Sequence, residues 1–316
     1  MDVARELLSG NVLAGARAIR WLDDRDRRGA QVLSSVFPHT GRAQIIGVTG
    51  PPGAGKSTLA NAMITEQRRR GRRVGVVAID PTSPFSGGAI LGDRVRMARH
   101  TLDPGVFIRS VGTRGHAGGL SRSTHDTCLI LDAMGYDVIF VETVGVGQDE
   151  IDIVALAHTT IIIGVPGLGD EVQAIKAGLM EVGDVFVINK ADREGYEATR
   201  QQFELMLHLR EEARPADAFD WSPPLLPAVA TRDEGIAGII DATDRHGSKL
   251  RDSGEFARMS GRRERAQALA LMGEEMLRIA MERADAEVLS AVEARQIDPY
   301  EAARLLVHRL SPVQEE

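Results

Sequence analysis

Residues 50–58 read GPPGAGKST, and their surroundings constrain the fold more tightly than any other stretch of the chain. The apolar run QIIGVT precedes them and the amphipathic LANAMITEQRRRG follows. A glycine-rich turn between a buried strand and a helix lets backbone N–H groups close around phosphate at the positive end of the helix. Gly50, Gly55, Lys56 and Ser57 fit the pattern G-x-x-x-x-G-K-[ST]. The reading places Gly53, Ala54, Gly55, Lys56, Ser57 and Thr58 against the phosphates of a nucleotide. Lys56 reaches the β and γ oxygens as the catalytic cation, and Ser57 is a Mg²⁺ ligand.

From Gln44 onward, short β-branched runs alternate with longer helical patterns: IIGVT, RVGVVAID, VFIRSV, DVIFVET, TTIIIGVP, DVFVINK and PLLPAVA. Several are apolar at consecutive positions, as strands buried on both faces are. The fold expected is α/β, a mostly parallel sheet covered by helices on both faces, with its functional loops at the strand C-termini. Residues 1–42 read as short amphipathic helices forming an N-terminal cap. Residues 43–247 form the nucleotide domain, and residues 248–316 are helical to the end. There Leu269, Met272, Met276 and Ile279 recur at three- and four-residue steps, and Asp298-Pro299 opens a last helix. The apolar face of this segment is buried either internally or in a dimer.

Basic groups number 38 and acidic groups 45, a net charge of −7, which argues against a nucleic-acid binder driven by phosphate neutralisation. The run EQRRRGRR is the local exception and reads as a solvated helix end. No apolar run reaches the roughly 18 residues of a membrane span, and the N-terminus lacks a secretory apolar core, so a cytoplasmic location without membrane contact is expected. Cys128 is the single cysteine, which leaves no internal disulfide or thiolate-pair metal site and reads as a buried thiol.

The phosphate loop alone does not choose between ATP and GTP. The tetrapeptide NKAD, Asn189 to Asp192, directly follows the run DVFVI. There the Asp192 carboxylate can accept the guanine N1–H and N2–H₂, Lys190 can lie along the base, and Asn189 can tie this loop to the phosphate loop. The later loop AVATRDEG would close over the base through backbone near Ala230 and Thr231. Asp80, Asp93 and Glu142 follow in the order of a P-loop enzyme; singly each could cap a loop, and together with Ser57 they point to Mg²⁺. Glu142 opens ETVGVGQDE, whose Gly145 N–H can contact a γ-phosphate and shift when it leaves, while Gln148 is a displaced candidate for orienting water. In GTRGHAGGLS, His116 reads as a loop histidine and, with Arg114, as a candidate partner contact. In GLGDEVQAIKAG, helical spacing aligns Asp170, Gln173 and Lys176 in a polar row that could supply a charge or water contact to hydrolysis.

With GPPGAGKST, AIDPTSPFSGGAILGDRVRM, GTRGHAGGLS, FVETVGVGQDE, GLGDEVQAIKAG and NKAD in order, the chain resembles the MeaB/ArgK branch of the SIMIBI-class metallochaperone GTPases, from about Gln44 to Ser253. The resemblance implies a GTPase that gates adenosylcobalamin delivery from an adenosyltransferase to an acyl-CoA mutase and protects or rescues that mutase. Adenosylcobalamin belongs to the mutase. It also implies Mg²⁺ on Ser57, Asp80, Asp93 and Glu142, guanine on Asn189, Lys190 and Asp192, an additional switch in the segment holding Lys176, and a homodimer through the C-terminal helices. A P-loop kinase and a GTPase serving another metallocofactor are the alternatives; the latter class calls for soft ligands that this sequence lacks.

Overall fold

The structure is a computed structural model that describes residues 2–80, 98–112, 122–143, 149–167, 177–215, 217–282 and 286–310. Its centre is a seven-stranded parallel sheet: β1 (Gln44–Thr49), β2 (Val74–Asp80), β3 (Val106–Gly112), β4 (Val138–Glu142), β5 (Thr159–Gly164), β6 (Val185–Asn189) and β7 (Leu225–Ala228). The order across the sheet is β3-β2-β4-β1-β5-β6-β7, with every strand pairing parallel. Each of the seven apolar runs of the sequence forms one strand.

Around the sheet lie α1 (Val3–Leu8), α2 (Val12–Asp23), α3 (Arg27–Val36), α4 (Lys56–Arg69), α5 (Arg122–Ala133), α6 (Asp149–Leu156), α7 (Ala177–Val182), α8 (Tyr196–Glu212) and α9 (Ile236–Asp252). The chain continues in α10 (Glu255–Glu282), α11 (Ala286–Glu293) and α12 (Pro299–Leu310). Every residue of β1 is buried, and its side chains divide between two cores. Ile46 and Val48 pack with Leu59, Met63 and Ile64 of α4 and Ile239 and Ile240 of α9. Ile45 faces the other way, toward Ile130 and Leu131 of α5 and Ile153 of α6. At about 1.5–3 kcal/mol for each fully buried aliphatic side chain, these two faces anchor the sheet.

The N-terminal helices are a layer of the second core. Leu7, Ala14, Ala18, Ile19 and Leu22 are buried with the α5 side chains and Met134. Asn11 fixes the start of α2 by accepting the N–H groups of Leu13 and Ala14. Asp23 receives Arg109 of β3 at 2.5 Å and the hydroxyl of Ser123 in α5, so the layer is also held by charge.

The basic run is absorbed by ion pairs. Arg68 makes a two-pronged contact to Asp103 at 2.9 and 3.0 Å, Arg70 reaches Asp241 at 2.7 Å, and Arg72 reaches Asp244 at 2.5 Å. Arg69 and Arg70 share Glu66, and hydrogen bonds from these cations, Arg69 foremost, hold its carboxyl down at about 2. These arginines thus join the end of α4 to α9 and to the loop before β3. The thiol of Cys128 is buried in α5.

The chain divides into two compact units, Met1–Ser260 and Gly261–Glu316. Within the first, the start of α10 is anchored by Phe256, which stacks on His158 with ring centroids 3.9 Å apart. In the second, Leu269, Met272, Met276, Leu277 and Met281 are exposed along α10. Asp298 caps α12 by accepting from Tyr300 and Glu301, with Pro299 at the first helical position. Among the described residues no helix is long and apolar enough to cross a membrane.

Candidate nucleotide site

The sheet order places a crevice above the C-terminal end of β1. After β1 the chain crosses to β2 on one side, and from β4 it crosses to β5 on the other, the arrangement in which parallel α/β sheets bind ligands. The phosphate loop leaves β1 at Gly50, where a Cβ would run into the carbonyl of Ile163 on β5, so only glycine permits this approach. Gly55 sits at φ +85° immediately before α4. The first helical bond runs from the Leu59 N–H to the Gly55 carbonyl at 2.9 Å. The earlier N–H groups of α4 thus lie in the first turn, where a helix has no internal acceptors and favours an anion. Lys56 is 7% exposed, and its ammonium donates to the carbonyls of Gly50 at 2.8 Å and Pro51 at 3.1 Å.

On the β4 side, the Ser57 hydroxyl donates to Glu142 Oε1 at 2.5 Å, and Glu142 is buried at the strand end. Thr143, the next residue, donates its hydroxyl to Thr49 at the end of β1. A hydroxyl beside a carboxylate is an all-oxygen donor pair. It fits a hard cation such as Mg²⁺, which takes one or two protein oxygens and fills its octahedron with water and phosphate. Among the described residues no group of three or more His, Cys, Asp or Glu side chains converges as a metal cluster.

The loops after β6 and β7 lie beside the phosphate loop and bond to it. Asn189 is 2% exposed; its amide donates to the Ala54 carbonyl at 2.8 Å and its carbonyl accepts the Ala230 N–H at 3.2 Å. One buried side chain therefore joins three loops. Lys190, at φ +58°, donates to the Gly53 carbonyl at 2.7 Å, and the Ala191 N–H bonds to the Ala228 carbonyl. Asp192 is partly exposed beside them and accepts Arg232 at 2.6 Å. Ala230 is buried, while Thr231 is exposed on the same short turn.

The structure brings Gly53, Ala54, Gly55, Lys56, Ser57, Glu142, Asn189, Lys190 and Ala230 into one connected set. Asp80 ends β2, with only its backbone described. Asp93, Arg114, His116, Gly145, Gln148, Asp170, Gln173 and Lys176 lie outside the described residues. Sequence reading missed Arg232. The signal was available in the fold, because loops that follow adjacent strands of a parallel sheet lie side by side.

The family model for methylmalonyl Co-A mutase-associated GTPase MeaB matches residues 16–285. The Pyrococcus horikoshii protein PH0274, named for GTPase activity, is 46% identical over 311 residues, covering 98% of each chain. The mouse mitochondrial methylmalonic aciduria type A homolog is 38% identical, covering 67% of this chain and 51% of its own length. A crystal structure of an LAO/AO transport system kinase superposes with a TM-score of 0.69 at 28% identity, covering 98% of this chain and 96% of that one. A phosphate loop in its strand-to-helix setting, a second loop tied to it by Asn189, and a family match across most of the length lead to one assignment: the chain belongs to the MeaB family and is a P-loop GTPase.

Proposed function

We propose that this GTPase is a chaperone of an acyl-CoA mutase such as methylmalonyl-CoA mutase, gating adenosylcobalamin delivery to it and protecting or reactivating it. The observation that carries this reading is the match over residues 16–285 to a family described as mutase-associated, on a chain whose Asn189 joins the base, phosphate and β7 loops into one unit. A mouse relative named for methylmalonic aciduria supports the same partner. An adenosyltransferase would be the upstream partner, and a second copy of the chain would pack on the helices after residue 247. The exposed row Leu269, Met272, Met276, Leu277 and Met281 supports that last assignment.

In this reading Asp192 accepts the guanine N1–H and N2–H₂, and Lys190 covers the base. The α4 amides and Lys56 hold the phosphates, moving the ammonium from the Gly50 and Pro51 carbonyls onto the β and γ oxygens. Ser57 and Glu142 would hold Mg²⁺, with Asp80 and Asp93 completing its surroundings; the ion supplies charge neutralisation at the phosphates when bound. Gly145 senses the γ-phosphate, and Gln148 and Lys176 are the candidates to position water and add charge. Hydrolysis by the chain alone is then slow and accelerates in the mutase complex.

The test is single-turnover GTP hydrolysis, alone and with an adenosylcobalamin-loaded methylmalonyl-CoA mutase from the same organism. Stimulation that is lost in Lys176→Ala, with GDP affinity retained, is the expected result. An unchanged rate, together with no co-sedimentation in any nucleotide state, contradicts the chaperone reading. The kinase name of the structural relative makes phosphorylation of added L-arginine the second arm, and no transfer is expected.

A further inference from the structure

Asp192 is the carboxylate that the guanine reading depends on, and it is already engaged. Arg232 Nη2 donates to its Oδ2 at 2.6 Å, while Arg232 Nη1 lies only at 3.8 Å from Glu234. The backbone that carries the arginine is fixed. Ala230, Thr231 and Arg232 form a single 3₁₀ turn after β7, closed by the Arg232 N–H to the Val229 carbonyl at 2.9 Å. Val229 and Glu234 exchange N–H···O bonds across this turn, Asp233 takes the left-handed conformation at φ +58°, and the Ala230 N–H is fixed on Asn189. The same buried asparagine that ties the base loop to the phosphate loop therefore also sets where Arg232 stands.

Guanine presents two donors in line, N1–H and N2–H₂, and a carboxylate meets them with both oxygens. Arg232 occupies Oδ2 with a cation, and a guanine edge set with its exocyclic amino group on that oxygen would meet that cation. We infer that Arg232 is a gate on base recognition, a positioning residue that competes with the guanine N2 amino group for Asp192 Oδ2 and so weakens guanine nucleotide binding and speeds release. The inference rests on the assignment of Asp192 to the guanine edge. The pair is partly exposed, at 56% for Arg232 and 34% for Asp192, so the competition is of moderate strength. For an exchanging switch, a base site that keeps its own counter-ion limits the stability of the bound state.

The test uses the full chain and compares GDP with IDP, whose base keeps N1–H and lacks the amino group. IDP can bond Asp192 Oδ1 and leave Arg232 in place. Arg232→Ala should bind GDP about two- to fivefold tighter with slower release, the range expected for removing one exposed ion pair. Affinity for IDP should be unchanged. The GDP gain should close toward 1 M salt, where the Debye length is about 3 Å and the pair is screened in the unmodified chain. The phosphates of the two nucleotides are identical, so an effect of the arginine charge on them would move both alike, and that result overturns the inference. Unchanged or weaker GDP binding in Arg232→Ala also overturns it. If the alanine variant melts early, Arg232→Gln carries the same comparison without the charge. A chain that binds GDP no better than ADP would instead remove the Asp192 assignment itself.

Discussion

Asn189 links the loop after β6 to the phosphate loop, and its removal can be worked through from the contacts. In Asn189→Ala the Ala54 carbonyl loses its 2.8 Å donor and the Ala230 N–H loses its 3.2 Å acceptor. Both residues are buried, and each stranded backbone group costs about 1–3 kcal/mol. The expected loss is roughly 2–6 kcal/mol, somewhat less where water from the crevice reaches the stranded groups. Gly55 makes this separable. A Cβ added there would lie 2.6 Å from Asn189 Nδ2, and the residue is held at φ +85°, so Gly55→Ala carries both a clash and left-handed backbone strain of about 1–2 kcal/mol. In the Asn189→Ala background only the strain remains. A double-mutant cycle by urea unfolding should therefore show a double variant more stable than the sum of the singles, by about 1 kcal/mol or more. Strict additivity, or an Asn189→Ala variant as stable as the parent, refutes the claim that this side chain joins the loops.

Asp192→Asn should weaken GTP and favour xanthosine nucleotides, because the amide can donate to the xanthine C2 oxygen; retained guanine preference by calorimetry counts against the base assignment. Lys56→Ala should lower Mg·GTP turnover about a hundredfold or more while the fold persists by circular dichroism, and unchanged turnover contradicts its phosphate role. A pH prediction comes from His246, whose Nε2 lies 3.5 Å from Asp184 Oδ1. Burial pushes the Asp184 carboxyl up to about 7, with the Thr160 N–H and Arg210 opposing it, and burial pushes His246 down to about 4. The raised carboxyl contributes stability present below its ordinary value of 3.8 and lost as pH rises to about 7. The lowered histidine contributes stability present above 6.5 and lost as pH falls toward about 4. The two slopes oppose each other between those limits. Asp184→Asn should therefore unmask a rise in stability of up to about 1.4 kcal/mol per unit from pH 4.5 to 6.5, and an unchanged slope in urea melts contradicts it.

The strands were legible because burial on both faces leaves a continuous apolar run; TTIIIG becomes β5, buried throughout. Their order was not, since the placement of β4 between β2 and β1 follows from crossovers and helix packing, which no single run encodes. The start of α3 at Arg27 was hidden by charge: the apolar pattern begins at Ala30, yet Asp26 caps the helix by accepting the Arg28 N–H. The arginines after Glu66 looked solvated because their partners Asp103, Asp241 and Asp244 are distant in sequence. In the site, GKST and NKAD were readable as local patterns with a chemical purpose. The bond from Asn189 to Ala230 and the pair Arg232–Asp192 depend on β6 and β7 being neighbours, a property of the sheet.

The most direct test of the account is calorimetric titration of the full chain with Mg·GDP and Mg·ADP under identical conditions. A site in which Asn189 holds an Asp192 base loop against the phosphate loop predicts one GDP per chain, bound about a hundredfold or more tighter than ADP, because adenine would leave the carboxylate facing an unprotonated N1. Equal affinity for the two nucleotides would contradict it.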